Sequence, residues 1–542
     1  MRHESPFVRP LAFLALVAIL SLSGTRGAFA QQAVDADLLL EGGLLVDGSG
    51  AKGEVGDVAI ADGKLVGVGK FKRGRVERVI DCNGLVIAPG FIDLHTHSDN
   101  EIVTPFGRAN VNYLTQGCTT VVTGNCGSGP VDVAAYLEKV DAAGAGTNVL
   151  HLLPQGALRN KVMGTARRTP TTDELDEMRK LAERAMRDGA WGMSTGLIYV
   201  PSVYANTDEL VEIATVIGKH GGIYASHIRG EGSELFDAVN EAIEIGNRSG
   251  AAVHISHFKA SGKDHWGTLR IAADIVEKAR EKGQRVTADQ YPYVASSTSL
   301  QATTIPSAAR EGGQEALVKR LNDSKPGDEL YEKIKKKVDA MQDQLRIARH
   351  KARRDWTGKS LAEIAKSENK PVIDIVYEIE RHGGAQIVNF AMSEDDVRMA
   401  MQRPWLATAS DGNALVPSTD QPHPRSFGTF PRKVGRYSIA EKVIPLEAAV
   451  RSSSGLPADI LGLKDRGYLR EGLAADVVVF DPATFRDEAT FDDPYRYSTG
   501  VRYLFVNGRP AIYAGTPTGA LAGKALRMRE RAQATRTLRA TP

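Results

Sequence analysis

Phe91-Ile92-Asp93-Leu94-His95-Thr96-His97 and Thr119-Thr120-Val121-Val122-Thr123-Gly124-Asn125-Cys126-Gly127 are two short apolar runs, and each ends in side chains that bind metals. His95 and His97 are two residues apart, so on a strand they project from one face and can reach one ion. A thiolate beside imidazoles favours zinc over magnesium or calcium. Two later runs repeat the pattern: Gly222-Ile223-Tyr224-Ala225-Ser226-His227 and Ala251-Ala252-Val253-His254-Ile255-Ser256-His257. Another ends in an acid, Trp405-Leu406-Ala407-Thr408-Ala409-Ser410-Asp411-Gly412. Ligand-type residues at the C-terminal ends of strands that alternate with helices are what the active face of a (β/α)₈ barrel requires.

Between about 89 and 430, strand-like and helical runs alternate, which predicts a parallel α/β architecture. Eight strands are expected near 91–97, 119–126, 148–153, 190–195, 222–228, 251–257, 285–292 and 405–411. Thr171 with Glu174, and Asn206 with Glu209, have capping-box spacing at helix starts. The run Ile387-Val388-Asn389-Phe390-Ala391 is left over from this count.

Both chain ends read differently. Short apolar runs broken by Asp-Gly and Asn-Gly, as around Asp62-Gly63 and Asn507-Gly508, are tight-hairpin signals. Neither end alone holds enough strands for a core, so the expectation is one small β-sandwich built from both. The expected organisation is 31–88 for the first part of the sandwich and 89–435 for a metal-dependent barrel with a helical insertion at about 308–380. The last barrel helix and the rest of the sandwich would occupy 436–520, and a tail 521–542. The insertion is rich in Lys, Arg, Glu and Asp with apolar residues at helical spacing. Such faces are usually solvated, though one placed after a barrel strand can also cover a pocket.

Arg2 and Arg9, the apolar stretch from Leu11 to Leu22 and the small-residue site Ala28-Phe29-Ala30 read as an export signal over 1–30. The stretch is shorter than the roughly 20 apolar residues a membrane span needs. Cleavage predicts a periplasmic or secreted chain with no membrane attachment, since the first cysteine is Cys82. It also removes Arg2, Arg9, Arg26 and Glu4, turning 68 basic and 66 acidic residues into 65 of each. A neutral chain argues against nucleic-acid partners. The three cysteines, Cys82, Cys118 and Cys126, form no disulfide framework.

FIDLHTHSDN (91–100), GNCG (124–127), SHIRGE (226–231), ISHFK (255–259), YPY (291–293), SDG (410–412) and HPR (423–425), in this order, resemble the amidohydrolase superfamily and its D-aminoacylase (N-acyl-D-amino-acid deacylase) branch. The resemblance implies that Cys126, His227 and His257 hold a tightly bound Zn2+, with His95 and His97 in a second, weaker site. Relatives that bridge two metals use a carboxylated lysine on the fourth strand; the run 190–197 has none, and Cys126 takes that role. Asp411 is implied as the general acid and base, taking a proton from the attacking water and giving one to the departing nitrogen. Lys259, Tyr291 and Arg425 are implied to bind the α-carboxylate, for which a guanidinium fork and an ammonium are suited. The remaining histidines, His151, His220, His254, His265 and His423, are read as structural, with His254 on the opposite strand face from His257. The implied activity is zinc-dependent hydrolysis of N-acyl-D-amino acids. The alternatives are an amidohydrolase acting on a cyclic amide, in the manner of hydantoinases and dihydroorotases, one acting on a dipeptide, and a non-catalytic barrel scaffold.

Overall fold

The computed structural model describes residues 33–528. The expected export signal at 1–30 lies outside them, as does the chain from 529. Among the described residues, no helix is long and apolar enough to cross a membrane.

Strands from both chain ends pair in one nine-stranded sheet. Val477–Phe480 runs antiparallel to Val86–Pro89, so the two ends join through direct backbone pairing. Asp62 and Gly63 have φ of 50° and 74° between the paired strands Glu54–Ala61 and Lys64–Gly69. Asn507 and Gly508 do the same at 50° and 78° between Val501–Val506 and Arg509–Tyr513. Two left-handed residues in succession match the twist of flanking strands, which is why Asp-Gly and Asn-Gly stand there. Leu40, Val58, Ile60, Ile87, Val477, Val479 and Phe505 form the interior of this unit.

The middle of the chain holds two parallel sheets. Phe91–Asp93, Cys118–Thr123 and Asn148–His151 form one. Leu153–Pro154, Gly192–Gly196, Ile223–His227, Ala252–Ile255, Val286–Gln290 and Leu406–Thr408 form the other. Only Leu152 separates the two sheets along the chain. On their far sides, Thr96 bridges in parallel to Gly412, and the Asp411 N–H donates to His95 O at 2.8 Å. Between the strands lie amphipathic helices such as Thr172–Arg187, opened by a full Thr171–Glu174 capping box, and Thr207–Lys219, capped by the Asn206 side chain alone. Their apolar faces, with Met178, Ala182, Ile213 and Ile217, pack on the sheets.

The insertion differs from the helical segment expected at 308–380. It begins with the strand Ser296–Ser299 and ends with Gln386–Asn389; these two pair antiparallel with each other, and Leu345–Arg349 pairs antiparallel with the far side of Gln386–Asn389. The left-over run at 387–391 therefore supplies the middle strand of a separate sheet. The helices Gly313–Asp323, Glu329–Met341, Leu361–Glu368 and Val372–Arg381 cover it, and Leu317, Ile334, Trp356, Ile375 and Ile387 form its own core. Periodicity alone reads this segment as helical because its three strands are four or five residues long.

The expected tail boundary at 521 also moves. Gly523 and Ala525 bridge to Ala145 and Val149, and Trp191 Nε1 donates to Leu526 O at 2.7 Å. Ala522 and Ala525 are buried, so the chain up to 528 closes the underside of the parallel sheets.

Candidate metal centre and active site

Five ligand-type residues reach one place from four strand ends. His95 follows Phe91–Asp93, Cys126 follows Cys118–Thr123, His227 ends Ile223–His227, and His257 follows Ala252–Ile255. Cys126 Sγ is 3.3 Å from His95 Nε2, 3.8 Å from His227 Nδ1 and 4.0 Å from His257 Nε2. His257 Nε2 and His227 Nδ1 are 2.8 Å apart. His97 Nε2 and His95 Nε2 lie 3.0 and 3.4 Å from Asp411 Oδ1.

The backbone is held in an unusual shape here. Cys126, His257 and Asp411 have φ of 50°, 38° and 51°, in the left-handed region that non-glycine residues rarely enter. Such residues cost of order 1 to 3 kcal/mol each and persist only where the surroundings enforce them. Gly196 makes room for the cysteine turn, since a Cβ on it would stand 2.2 Å from Cys126 O.

The donor set fits zinc. Burial pushes the Cys126 thiol up, but the His95 charge and the hydrogen bonds of His227, His257 and His95 outweigh it and hold the thiol well below its usual range. The thiolate is the form that binds metal. His257 Nδ1 lies 2.8 Å from Glu231 Oε1, and His95 Nδ1 lies 3.3 Å from Asp289 Oδ2. With the Nδ1 proton held by its carboxylate, each ring would present its Nε2 to a metal as a neutral ligand. One thiolate and converging imidazoles are a donor set for tetrahedral zinc.

Asp411 is also held charged. Burial raises it, but Arg425, His95 and the His97 hydrogen bond bring it well below the usual carboxylate range. Arg425 Nη1 is 2.7 Å from Asp411 Oδ2, and its guanidinium carbon is 4.7 Å from the Tyr291 ring centroid. The Tyr291 hydroxyl is buried with no partner among the described residues. Lys259, the third expected substrate anchor, lines the same cavity as Tyr291 and Arg425. Its Nζ is ion-paired with Glu231 and 2.9 Å from His257 Nδ1, with 4% of the side chain exposed. Glu231 claims it because both residues sit just past the ends of adjacent strands.

Two carboxylates here went unassigned in the sequence. Glu231 stands in the SHIRGE motif, four residues after His227. Asp289 accepts from the His257 N–H at 2.6 Å and lies 2.9 Å from His254 Nε2 as well as facing His95. An acid inside the strand expected at 285–292 was the available signal, since an unpaired buried acid is rare. His254 thus touches the ligand network through Asp289.

The model of the amidohydrolase family matches residues 78–512. The chain belongs to the amidohydrolase family. This amidohydrolase is 36% identical to a D-aminoacylase of Alcaligenes xylosoxydans xylosoxydans, over 90% of this chain and 97% of that protein. A D-aminoacylase structure with a binuclear metal centre matches at a TM-score of 0.78 and 33% identity, covering 91% of this chain and all of that one. An N-acyl-D-glutamate deacylase from Bordetella bronchiseptica, complexed with zinc and a phosphonate mimic of the tetrahedral intermediate, matches at 0.77 and 31%, covering 91% of this chain and 100% of that one.

Proposed function

We propose that this amidohydrolase hydrolyses the amide bond of N-acyl-D-amino acids with zinc, releasing a carboxylate and a D-amino acid. The observation that carries the reading is the convergence of Cys126, His227, His257 and His95 beside a charged Asp411. The D-aminoacylase and N-acyl-D-glutamate deacylase relatives point to the same linear amides.

Cys126, His227 and His257 would hold the tight zinc, and His95, His97 and Asp411 a second, weaker site. Zinc bound at the first site supplies an acidified water and a polarised acyl carbonyl. Asp411 accepts the water's proton and hands a proton to the amide nitrogen as it leaves. Arg425 and Tyr291 face the α-carboxylate. Lys259, ion-paired with Glu231 in the cavity lining, supplies a second cation for that carboxylate. Glu231 and Asp289 orient His257 and His95.

The two parallel sheets, in this reading, close through Leu152 and the Thr96–Gly412 bridge into a (β/α)₈ barrel. The sheet from both chain ends packs as a β-sandwich, and the export signal at 1–30 sends the chain to the periplasm or beyond. Metal analysis of the purified protein, with turnover on paired N-acetyl-D- and N-acetyl-L-amino acids, tests the assignment. Bound zinc with D-selective turnover is the expected result. Faster turnover of hydantoin or dihydroorotate would overturn it.

A further inference from the structure

The cavity over the ligand cluster has a volume of about 1340 Å³, whereas small-molecule pockets occupy roughly 300 to 1,000 Å³. An N-acetyl amino acid would leave most of it unfilled. One wall is the strand Ser296-Ser297-Thr298-Ser299, and all four residues line the cavity.

This strand is the outer edge of the insertion's sheet. It pairs with Gln386–Asn389 on one side and with no strand among the described residues on the other. The Leu300 N–H donates to Ala385 O at 2.9 Å, opposite it in the register that pairs Ser296 with Asn389 and Thr298 with Ile387. In an antiparallel ladder, alternate residues turn their N–H and C=O towards the partner strand. Ser296 and Thr298 therefore face the partner, and Ser297 and Ser299 face outwards. Ser297 O accordingly accepts from Arg425 Nη2 at 3.3 Å, and Ala295 O is 2.9 Å from His423 Nε2. Main-chain groups on such an edge are a template for an extended chain.

The edge also runs in a useful direction. Ser297 adjoins Arg425, the partner of Asp411. Thr298 Oγ1 is 2.8 Å from the hydroxyl of Tyr199, whose ring centroid stands 5.1 Å from that of His227. Beyond Ser299, the cavity wall continues through Ala302, Thr303, Lys337 and Met341. The strand thus leads from the carboxylate anchor, past the ligand cluster, to the outer cavity.

The geometry points to an acyl group that is itself a peptide: a substrate of three or more residues ending in a D-residue, whose upstream main-chain carbonyl accepts from the outward N–H of Ser299, the Ser299 C=O being taken by Thr303 Oγ1 at 3.0 Å. The inference rests on the deacylase reading and names its substrate class. The bond broken joins the penultimate carbonyl carbon to the nitrogen of the D-residue. The water oxygen bonds to that carbon, a water proton goes to the nitrogen, and the products are a shortened peptide acid and a free D-amino acid. A wall of serines and threonines suits a main chain better than a hydrocarbon acyl chain.

The test compares kcat/KM of the purified zinc enzyme on N-acetyl-D-X, N-octanoyl-D-X and N-acetyl-Ala-Ala-D-X, where X is the preferred residue. The peptide should exceed N-acetyl-D-X about tenfold or more, the worth of one main-chain hydrogen bond. Replacing the upstream peptide bonds by alkene isosteres, one at a time, should abolish the gain at one position. Ser299→Pro, which removes the outward N–H, should lose the gain and keep N-acetyl turnover. Ser299→Ala should retain the gain, although it gives up the same Ser299 Oγ cap on the Ala302 N–H. No gain from the peptide, a gain insensitive to every isostere replacement, or a preference for the octanoyl substrate would overturn the inference alone. No turnover of any N-acetyl-D-amino acid would overturn the deacylase reading and this inference with it.

Discussion

Arg425 Nη1 lies 2.7 Å from Asp411 Oδ2, with 7% and 6% of the two side chains exposed. The expected substrate anchor and the expected proton carrier are therefore one buried ion pair. A substrate carboxylate reaching Arg425 must share the guanidinium with Asp411, which places the scissile amide beside that acid.

Arg425→Ala is expected to lower kcat/KM on every substrate, because it leaves the buried Asp411 charge without its partner. The loss should be about tenfold larger on free N-acyl-D-amino acids than on their esters, since only the acids lose a charge-assisted contact. Equal loss on acids and esters would remove Arg425 from carboxylate binding. A circular dichroism melt checks that the variant folds.

Asp411→Asn keeps the size of the side chain but removes its capacity to accept a proton. Turnover should fall by roughly 10²-fold or more while tightly bound zinc remains. Metal content and single-turnover rates measured on one sample decide this. Near-normal rates would require a different base.

Cys126→Ala removes the thiolate proposed as the one anionic ligand of the tight site. Zinc and activity should be lost together while the fold is retained. Stoichiometric zinc in the folded variant, measured by atomic emission, would show Cys126 to be a packing residue.

Glu231→Gln tests the carboxylate 2.8 Å from His257 Nδ1. Zinc affinity should weaken about 10- to 100-fold, as for other outer carboxylates on ligand histidines. Competition with a chelator gives the number, and unchanged affinity would leave Glu231 with Lys259 alone.

Lys433 lies on the π-helix Arg432–Ala440, 1% exposed, and its Nζ has no partner among the described residues. Burial lowers this amine to about 7. The unfolded chain keeps the proton up to about 10.5, so between these values the unfolded state binds more protons and stability rises with pH. Lys433→Met should therefore stabilise the protein at pH 7, by an amount on the order of 3 to 5 kcal/mol at most, and the difference should vanish towards pH 10. Melting temperatures of both proteins at pH 7, 8.5 and 10 test the sign. A constant difference would mean that the amine is not neutral in the fold.

The ligand types were legible in the sequence because each closes its own strand. An apolar run ending in His95 and His97, Cys126, His227, His257 or Asp411 is a local pattern, readable without knowing what lies beside it. The chain ends were legible for the same reason, since Asp62-Gly63 and Asn507-Gly508 mark their hairpins directly. What only the tertiary structure decided is which of these ends meet and what stands behind them. Glu231 pairs with Lys259, Asp289 joins His95 to His257, and Ser296–Ser299 becomes the edge strand of a sheet in the cavity wall. These relations join residues brought together only by strand pairing and packing, and no local periodicity records a partner that lies elsewhere in the chain.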